Sequence, residues 1–248
     1  MDAPISNLHY TDERLVRIYD ALNARDHDWV FYEDRIGRVP QRIADVGCGT
    51  GTFALRLTAA GHTVIGVDPA PAMLDFARER PGAADVTWID GFASDLPREL
   101  AFDCATMTGH AFQCLLTDES VGSTLHALRE RLQPGGRLMF ESRNPVMQVW
   151  LRWHGQASKH DLGIDGGSVE VTYNVLSERS QIVTFETHYR FAHSNAHLVD
   201  RSALRFMRQL DIAEHLRRAG FNDVEWLGGW DGTAFDEGTS PEIIAIAR

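Results

Sequence analysis

Positive charge is scarce in this chain of 248 residues. Lysine and arginine number 24 against 35 aspartates and glutamates, which gives a formal net charge of -11 at pH 7. Proteins that bind a phosphate backbone do so through clustered lysine and arginine, and the chain has no basic run. We therefore expect no nucleic-acid partner.

Long apolar runs are also absent. No stretch approaches the roughly 20 apolar residues that a helix needs to cross a bilayer. The first residues lack the basic and apolar regions of a signal peptide. These absences predict a protein that does not associate with membranes and that resides in the cytoplasm.

Cysteine is rare and follows no metal-binding spacing. Cys48, Cys104 and Cys114 are an odd set, which favours reduced thiols in a reducing compartment. His193 and His197 lie close together in the chain, but the sequence offers no third ligand beside them. We expect no metal site.

The chain is organised around residues 43–52, Ile-Ala-Asp-Val-Gly-Cys-Gly-Thr-Gly-Thr. A short apolar run leads into three alternating glycines, and a helical pattern follows from Thr52 to Ala60. Strand, glycine loop and helix form the first half of a nucleotide-binding βαβ unit. Glycines let the backbone turn sharply and let a ligand approach it, and the helix start presents free N–H groups to an anion.

An acid ends the next predicted strand. The strand covers Thr63–Val67 and leads into Asp68, and an acid about 20 residues beyond such a loop accepts hydrogen bonds from ribose hydroxyls. The ligand is therefore expected to be an adenosine compound.

Two classes of adenosine ligand are compatible with the glycines. Gly49–Ala54 satisfies the dinucleotide pattern G-x-G-x-x-G/A, so an NAD(P)-dependent oxidoreductase is the alternative. Asp45 argues against a dinucleotide ligand, because a carboxylate two residues before Gly47 would repel its pyrophosphate. The same carboxylate suits a ligand that carries a cationic amine and a sulfonium, as S-adenosylmethionine does.

The stretches Asp45–Gly51 and Gly66–Pro69 resemble the class I S-adenosylmethionine-dependent methyltransferases, in the branch that acts on small molecules. The resemblance implies an α/β Rossmann-like fold, with a seven-stranded, mostly parallel sheet whose last strand is antiparallel. The predicted strands 224–227 and 242–246 fit such a closing antiparallel pair.

Four regions are predicted along the chain. Residues 1–40 form an N-terminal helical cap, residues 41–145 the S-adenosylmethionine-binding core, and residues 208–248 its C-terminal part. Residues 146–207 contain apolar residues at alternate positions, which indicates an inserted antiparallel β lid or dimerisation region. A homodimer is an open alternative.

The resemblance and the pattern together assign positions that contact S-adenosylmethionine or its product S-adenosyl-L-homocysteine. They are Asp45, Gly47, Cys48, Gly49, Thr50, Gly51, Asp68, Pro69, Met73, Phe92, Ala93, Met107, Thr108, Phe112 and, in the cap, Tyr19. Tyr32 is a second cap candidate, and for both tyrosines plain packing onto the sheet is the alternative. Phe92 stands where many family members have an acid, so ring packing on the adenine is expected there. Met73 is equally compatible with a core position.

The expected chemistry is in-line transfer of a methyl group to a nitrogen, oxygen or carboxylate of a small molecule. The protein mainly aligns the reactants and removes water. Residues 108–112 replace the Asn-Pro-Pro-Tyr motif of relatives that modify amides and adenine, which disfavours those substrates. His110 is the candidate base and Arg143 the candidate partner of a substrate carboxylate; a lining histidine and an ion pair with Glu141 are the alternatives. A non-catalytic S-adenosylmethionine sensor is a further alternative.

Overall fold

The computed structural model describes residues 4–23, 26–163 and 167–248. Residues 1–3 and 24–25 of the predicted cap and residues 164–166 of the predicted insertion lie outside the described residues. The strands in chain order are β1 (Arg42–Val46), β2 (Thr63–Asp68), β3 (Val86–Asp90), β4 (Phe102–Met107), β5 (Leu132–Arg143), β6 (Ala157–Asp161), β7 (Ser168–Arg179), β8 (Ile182–Phe191), β9 (His197–Arg205), β10 (Val224–Leu227) and β11 (Glu242–Ala247). The helices are α1 (Leu8–Thr11), α2 (Glu13–Leu22), α3 (Asp26–Ile36), α4 (Thr52–Ala59), α5 (Pro71–Arg78), α6 (Asp118–Arg131) and α7 (Gln209–Ala219).

Seven strands form the central sheet in the order β10-β11-β5-β4-β1-β2-β3. The pairs β1–β2, β1–β4, β2–β3 and β4–β5 are parallel, whereas β11 is antiparallel to both of its neighbours. The predicted seven-stranded sheet with an antiparallel last strand is confirmed. This arrangement brings the carboxyl ends of the parallel strands and the first residue of β11 to one edge.

Both faces of the central sheet are buried, because successive residues of a strand point to opposite sides. In β1, Ile43 belongs to the apolar cluster with Phe53 of α4, and Ala44 belongs to the cluster with Leu125 of α6. Helices therefore cover both faces, which is why the parallel strands are almost continuously apolar. Asp45 interrupts that pattern at the strand end.

Helix termini agree with local sequence signals. Thr117 caps α6, its side chain accepting the Ser120 N–H bond at 3.1 Å. Gly220 ends α7 at φ 94°, a conformation that glycine adopts without a Cβ clash. Among the described helices, none combines the length and apolar character that a membrane crossing needs.

A second, antiparallel sheet has the order β6-β7-β8-β9 and lies within the predicted insertion. Leu15 of α2 packs against Val169, Val171 and Tyr189 on one face of it. The predicted division of the chain at residues 146 and 207 remains a prediction, but these strands and the N-terminal helices pack on each other.

Candidate cofactor and acceptor site

The glycine loop follows β1 and turns sharply. Gly47, Gly49 and Gly51 all have positive φ angles, of 73°, 53° and 77°. A Cβ on Gly47 would lie 2.8 Å from Ala111 Cβ, so the loop after β4 crosses close to it. A Cβ on Gly49 would meet nothing within 4 Å. The loop is therefore open to a ligand at Gly49 and packed against protein on either side.

Asp45 is buried beside this loop with 1% of its surface exposed. One carboxylate oxygen accepts a hydrogen bond of 2.9 Å from the Thr106 hydroxyl. Within the described residues, the other oxygen, Oδ2, is buried and has no hydrogen-bond partner. Burial raises the pKa of Asp45 to about 7, and the Thr106 bond offsets part of that rise. When Asp45 is ionised, this buried oxygen without a hydrogen-bond partner fits the cationic amine or sulfonium of S-adenosylmethionine.

Asp68 ends β2 and connects two loops. Its Oδ2 accepts the Gly49 N–H bond at 2.8 Å, and its Oδ1 accepts the Ala70 N–H bond at 2.9 Å. Each carboxylate oxygen has a second lone pair, so the group can still accept ribose hydroxyls. Burial raises the pKa of Asp68 above its usual range although both backbone bonds lower it. Asp68 and the open side of Gly49 are therefore next to each other, so one ligand can contact both.

The other predicted cofactor positions divide by exposure. Phe92 follows β3 with 61% of its surface exposed, Pro69 is exposed and Thr108 is half-buried, so these three offer surface to a ligand. In contrast, Met73 is completely buried in α5. It offers no surface, and this placement favours its alternative as a core methionine.

Three further predicted residues are buried, and Cys48 is half-buried. Ala93, Met107 and Phe112 have 3% or less of their surface exposed, and the Phe112 ring stacks on Phe140 at 4.4 Å between centroids. The Cys48 side chain points toward β2, where a Cβ on Gly66 would lie 3.0 Å from its Sγ. Burial raises the pKa of the Cys48 thiol well above its usual value, so the thiol stays neutral. These side chains form walls and supports for the loops.

His110 is held by two carboxylates at the ligand edge. Its backbone N–H donates to Glu141 Oε1 at 2.6 Å, and its ring Nε2 lies 3.0 Å from Glu242 Oε2. Its backbone has φ 63°, an uncommon conformation for a residue other than glycine. Strained backbone of this kind concentrates at functional sites.

Glu141 is completely buried beneath this loop, and Tyr32 of α3 donates its hydroxyl to Glu141 Oε2. Burial raises the pKa of Glu141 to about 8, despite the bonds from Tyr32 and His110 that lower it. The predicted cap residue Tyr32 therefore supports the His110 loop from below, and its completely buried ring packs with Phe31 and Phe53.

Arg143 donates to Gln113 Oε1 at 2.8 Å, and its guanidinium lies 5.5 Å from the centre of the Trp153 ring. Gln113 is itself fully buried and donates to the backbone oxygen of Arg205. Arg143 is thus positioned between the core and the second sheet. The carboxylate of Glu141, its predicted alternative partner, accepts from Tyr32 and His110.

The N-terminal helices reach the same edge. Tyr19 of α2 is half-buried, and its ring lies 6.1 Å from that of Tyr10. The Tyr10 hydroxyl is 3.7 Å from Cys114 Sγ, just beyond β4. The cap therefore brings two tyrosines toward the predicted cofactor cleft, and Tyr10 was not among the sequence candidates.

Sequence reasoning also missed Glu242 and Thr106. Glu242 begins β11 and is the register partner of Arg143. An antiparallel strand brings its first residue to the carboxyl edge of parallel neighbours, so an acid at that position was a usable signal. Thr106 lies opposite Asp45 on the adjacent strand, a pairing that depends on register alone.

Comparison with known proteins agrees with this geometry. Residues 43–136 match a family model described as a methyltransferase domain. The cypemycin N-terminal methyltransferase of a Streptomyces species is 30% identical over 104 residues, which cover 42% of this chain and 42% of that protein. The chain thus spans less than half of that relative's length.

The CcbJ methyltransferase from Streptomyces caelestis has a TM-score of 0.78 at 19% identity, covering 96% of this chain and 98% of that chain. CalS10, an amino pentose methyltransferase from Micromonospora echinaspora, has a TM-score of 0.71 at 20% identity, covering 100% of this chain and 99% of that chain.

The fold and the matched domain define the class. Residues 43–136 match a methyltransferase domain, and the chain has the fold of the class I S-adenosylmethionine-dependent methyltransferases. S-adenosylmethionine is the cofactor of that class, and the glycine loop, Asp45 and Asp68 are the residues here that would hold it. The antiparallel β10–β11 pair is a feature that the dinucleotide alternative leaves unexplained.

Proposed function

We propose that the protein is an S-adenosylmethionine-dependent methyltransferase that methylates an amine of a small molecule. One observation carries the cofactor assignment. The open Gly49 donates its N–H to Asp68, which suits ribose hydroxyls, and the same loop follows Asp45, whose buried Oδ2 has no hydrogen-bond partner in the described part of the chain. A ligand with a ribose at one end and a cation at the other satisfies both carboxylates.

The acidic surroundings of His110 favour an amine over a carboxylate acceptor. Glu242 lies 3.0 Å from the His110 ring, and the chain carries a net charge of -11. A carboxylate acceptor would meet the like charge of Glu242 there, whereas a protonated amine would be attracted. Both the amino pentose methyltransferase and the N-terminal methyltransferase named above act, by their names, on nitrogen-bearing or amino-group substrates.

His110 has the chemistry to receive the proton that an ammonium acceptor must lose before it becomes a nucleophile. The bound cofactor supplies an activated methyl group on a sulfonium, which needs no further activation by the protein. Glu242 Oε2, 3.0 Å from Nε2, stabilises the tautomer with a proton on Nε2 and the imidazolium that forms from it. Arg143, held by Gln113, is placed to orient a polar group of the acceptor.

The test is a binding and turnover comparison with the purified full chain. We expect S-adenosyl-L-homocysteine to bind more tightly than NAD in calorimetry, and S-adenosyl-L-homocysteine to form from S-adenosylmethionine in the presence of amines. The acceptor panel includes amino sugars with matched hydroxyl sugars and carboxylic acids. Tighter binding of NAD would overturn the cofactor assignment. Turnover with hydroxyl or carboxylate acceptors alone would overturn the amine assignment, and tight binding without turnover of any acceptor would favour a sensor.

A further inference from the structure

A cluster of polar side chains at the glycine loop includes Thr50, one of the predicted cofactor positions. The Asp20 carboxylate, in the last turn of α2, accepts hydrogen bonds from the hydroxyls of Thr50 at 2.5 Å and Thr52 at 3.0 Å. Arg80 donates to the same carboxylate at 2.9 Å, and also to the Thr50 backbone oxygen and the Thr52 hydroxyl. Thr50 and Thr52 flank Gly51, so the cluster joins the N-terminal helices directly to the predicted cofactor loop.

The other end of the same helical segment is anchored to the second sheet. Asp200 of β9 accepts from the Leu8 N–H at 2.6 Å and from the Ser6 hydroxyl at 3.0 Å, and its Oδ2 lies 2.5 Å from His9 Nδ1. The Asp200 side chain is almost fully buried. Residues 6–20 are therefore a strap with one end fixed on β9 and the other on the glycine loop.

Between its two anchors the strap passes the predicted cofactor cleft. Tyr10 of the strap lies 3.7 Å from Cys114 beyond β4. Burial raises the pKa of Tyr10 well above its usual value, and the charges of Cys114, Tyr19 and Asp68 add to that rise. Thr50, which Asp20 of the strap contacts, follows Gly49 directly in the chain. A ligand on Asp68 and Gly49 would lie next to the strap.

The anchor at Asp200 and the anchor at Asp20 differ in how readily water can replace their hydrogen bonds. Asp200 is almost inaccessible, whereas the Asp20 and Arg80 side chains are 35% and 26% exposed. Exposed polar contacts are exchanged for water at little cost, and buried ones are not. The Asp20 end is thus the anchor that is less protected from water.

We infer that Asp20 is a positioning residue for the cofactor: it fastens the strap to Thr50 and Thr52, and cofactor exchange requires this contact to open. The inference rests on the proposed function, because it takes the occupant of the cleft to be S-adenosylmethionine or S-adenosyl-L-homocysteine. Asp20 touches the loop and acts on the ligand through it. Its loss therefore changes the rate of ligand release.

The experiment compares Asp20→Ala, Thr50→Val and the double variant in the full chain, with Glu13→Ala on the exposed side of the same helix as the control. Alanine favours helix, so neither alanine substitution weakens α2 intrinsically. We expect S-adenosyl-L-homocysteine to dissociate about fivefold faster from Thr50→Val in stopped-flow measurements, as the loss of one hydrogen bond implies. Dissociation from Asp20→Ala should be at least as fast, because that variant also loses the bonds from Thr52 and Arg80. The double variant should show no further increase, because both substitutions break the same contact.

Unchanged dissociation from Asp20→Ala, or additive increases in the double variant, would overturn the inference. Hydrogen exchange without any ligand separates this result from a failure of the proposed function. Asp20→Ala should speed amide exchange in residues 13–22 and 48–52, and Glu13→Ala should not. If the unmutated protein fails to bind S-adenosyl-L-homocysteine, the proposed function fails, while the exchange result still decides whether Asp20 fastens the strap. Unchanged exchange overturns the contact in either case.

Discussion

Thr106 of β4 donates its hydroxyl hydrogen to Asp45 across the β1–β4 pair, and this bond satisfies only one of the two carboxylate oxygens. An ionised carboxylate that is buried with so little compensation is costly, which is why the pKa of Asp45 rises to about 7. A cationic ligand removes that cost, so binding and proton release are linked.

The first prediction is a pH-dependent affinity for S-adenosylmethionine. A ligand that prefers ionised Asp45 binds fully above about pH 7. Its affinity falls as pH decreases through that value, by up to about tenfold per pH unit. Asp45→Asn should lower the affinity at pH 8 and flatten this dependence in calorimetry. Thr106→Val should move the dependence to higher pH, because it removes a bond that lowers the pKa. A wild-type affinity that is constant between pH 5 and 8 would contradict the contact.

The second prediction concerns the ribose. Asp68→Ala should weaken S-adenosyl-L-homocysteine binding by about 2 kcal/mol, since hydrogen bonds to a charged group contribute roughly 1.5–3 kcal/mol. Asp85→Ala is the control. Asp85 is exposed and directly precedes the first residue of β3, whereas the predicted ligand lies at the carboxyl ends of the strands. Equal affinities of the Asp68 and Asp85 variants would remove the ribose assignment.

The third prediction concerns proton transfer. With an amine acceptor, His110→Ala should lower kcat by about 10²-fold, as expected for loss of a general base. Glu242→Gln should lower kcat less and shift its pH profile, because Glu242 contacts the ring nitrogen at 3.0 Å. His126→Ala, at an exposed position of α6, is the matched control. A small decrease for His110→Ala with unchanged cofactor affinity would make His110 a lining residue.

The fourth prediction concerns stability. Tyr32→Phe removes the hydroxyl that donates to the buried Glu141. A buried acceptor that loses its partner costs roughly 1–3 kcal/mol. Urea unfolding at pH 7 should therefore show a free energy of unfolding lower by that amount. No change in stability would indicate that the hydroxyl contributes nothing to holding Glu141 beneath the His110 loop.

Local signals were sufficient for the elements that carry the cofactor site. The predicted strand Thr63–Val67 matches β2 to within one residue, and the helix after the glycine loop matches α4 to within one residue. These elements depend on apolar periodicity, turn residues and caps, all of which act over a few neighbouring residues. The same kind of signal left two interpretations of Met73 open, because one face of an amphipathic helix can meet either a ligand or the core.

The sequence by itself determined the seven-stranded sheet with an antiparallel last strand that the resemblance implies, the turn at the glycines and the acid at the end of β2. Only the tertiary structure decided which distant side chains meet. Tyr32 and Glu141 are 109 residues apart, His110 and Glu242 are 132 apart, and Asp20 reaches Thr50 across 30 residues. Such contacts depend on strand register and on where the N-terminal helices pack, and neither quantity is encoded in local spacing. Glu242 became part of the site because β11 runs antiparallel and therefore begins at the edge where the parallel strands end.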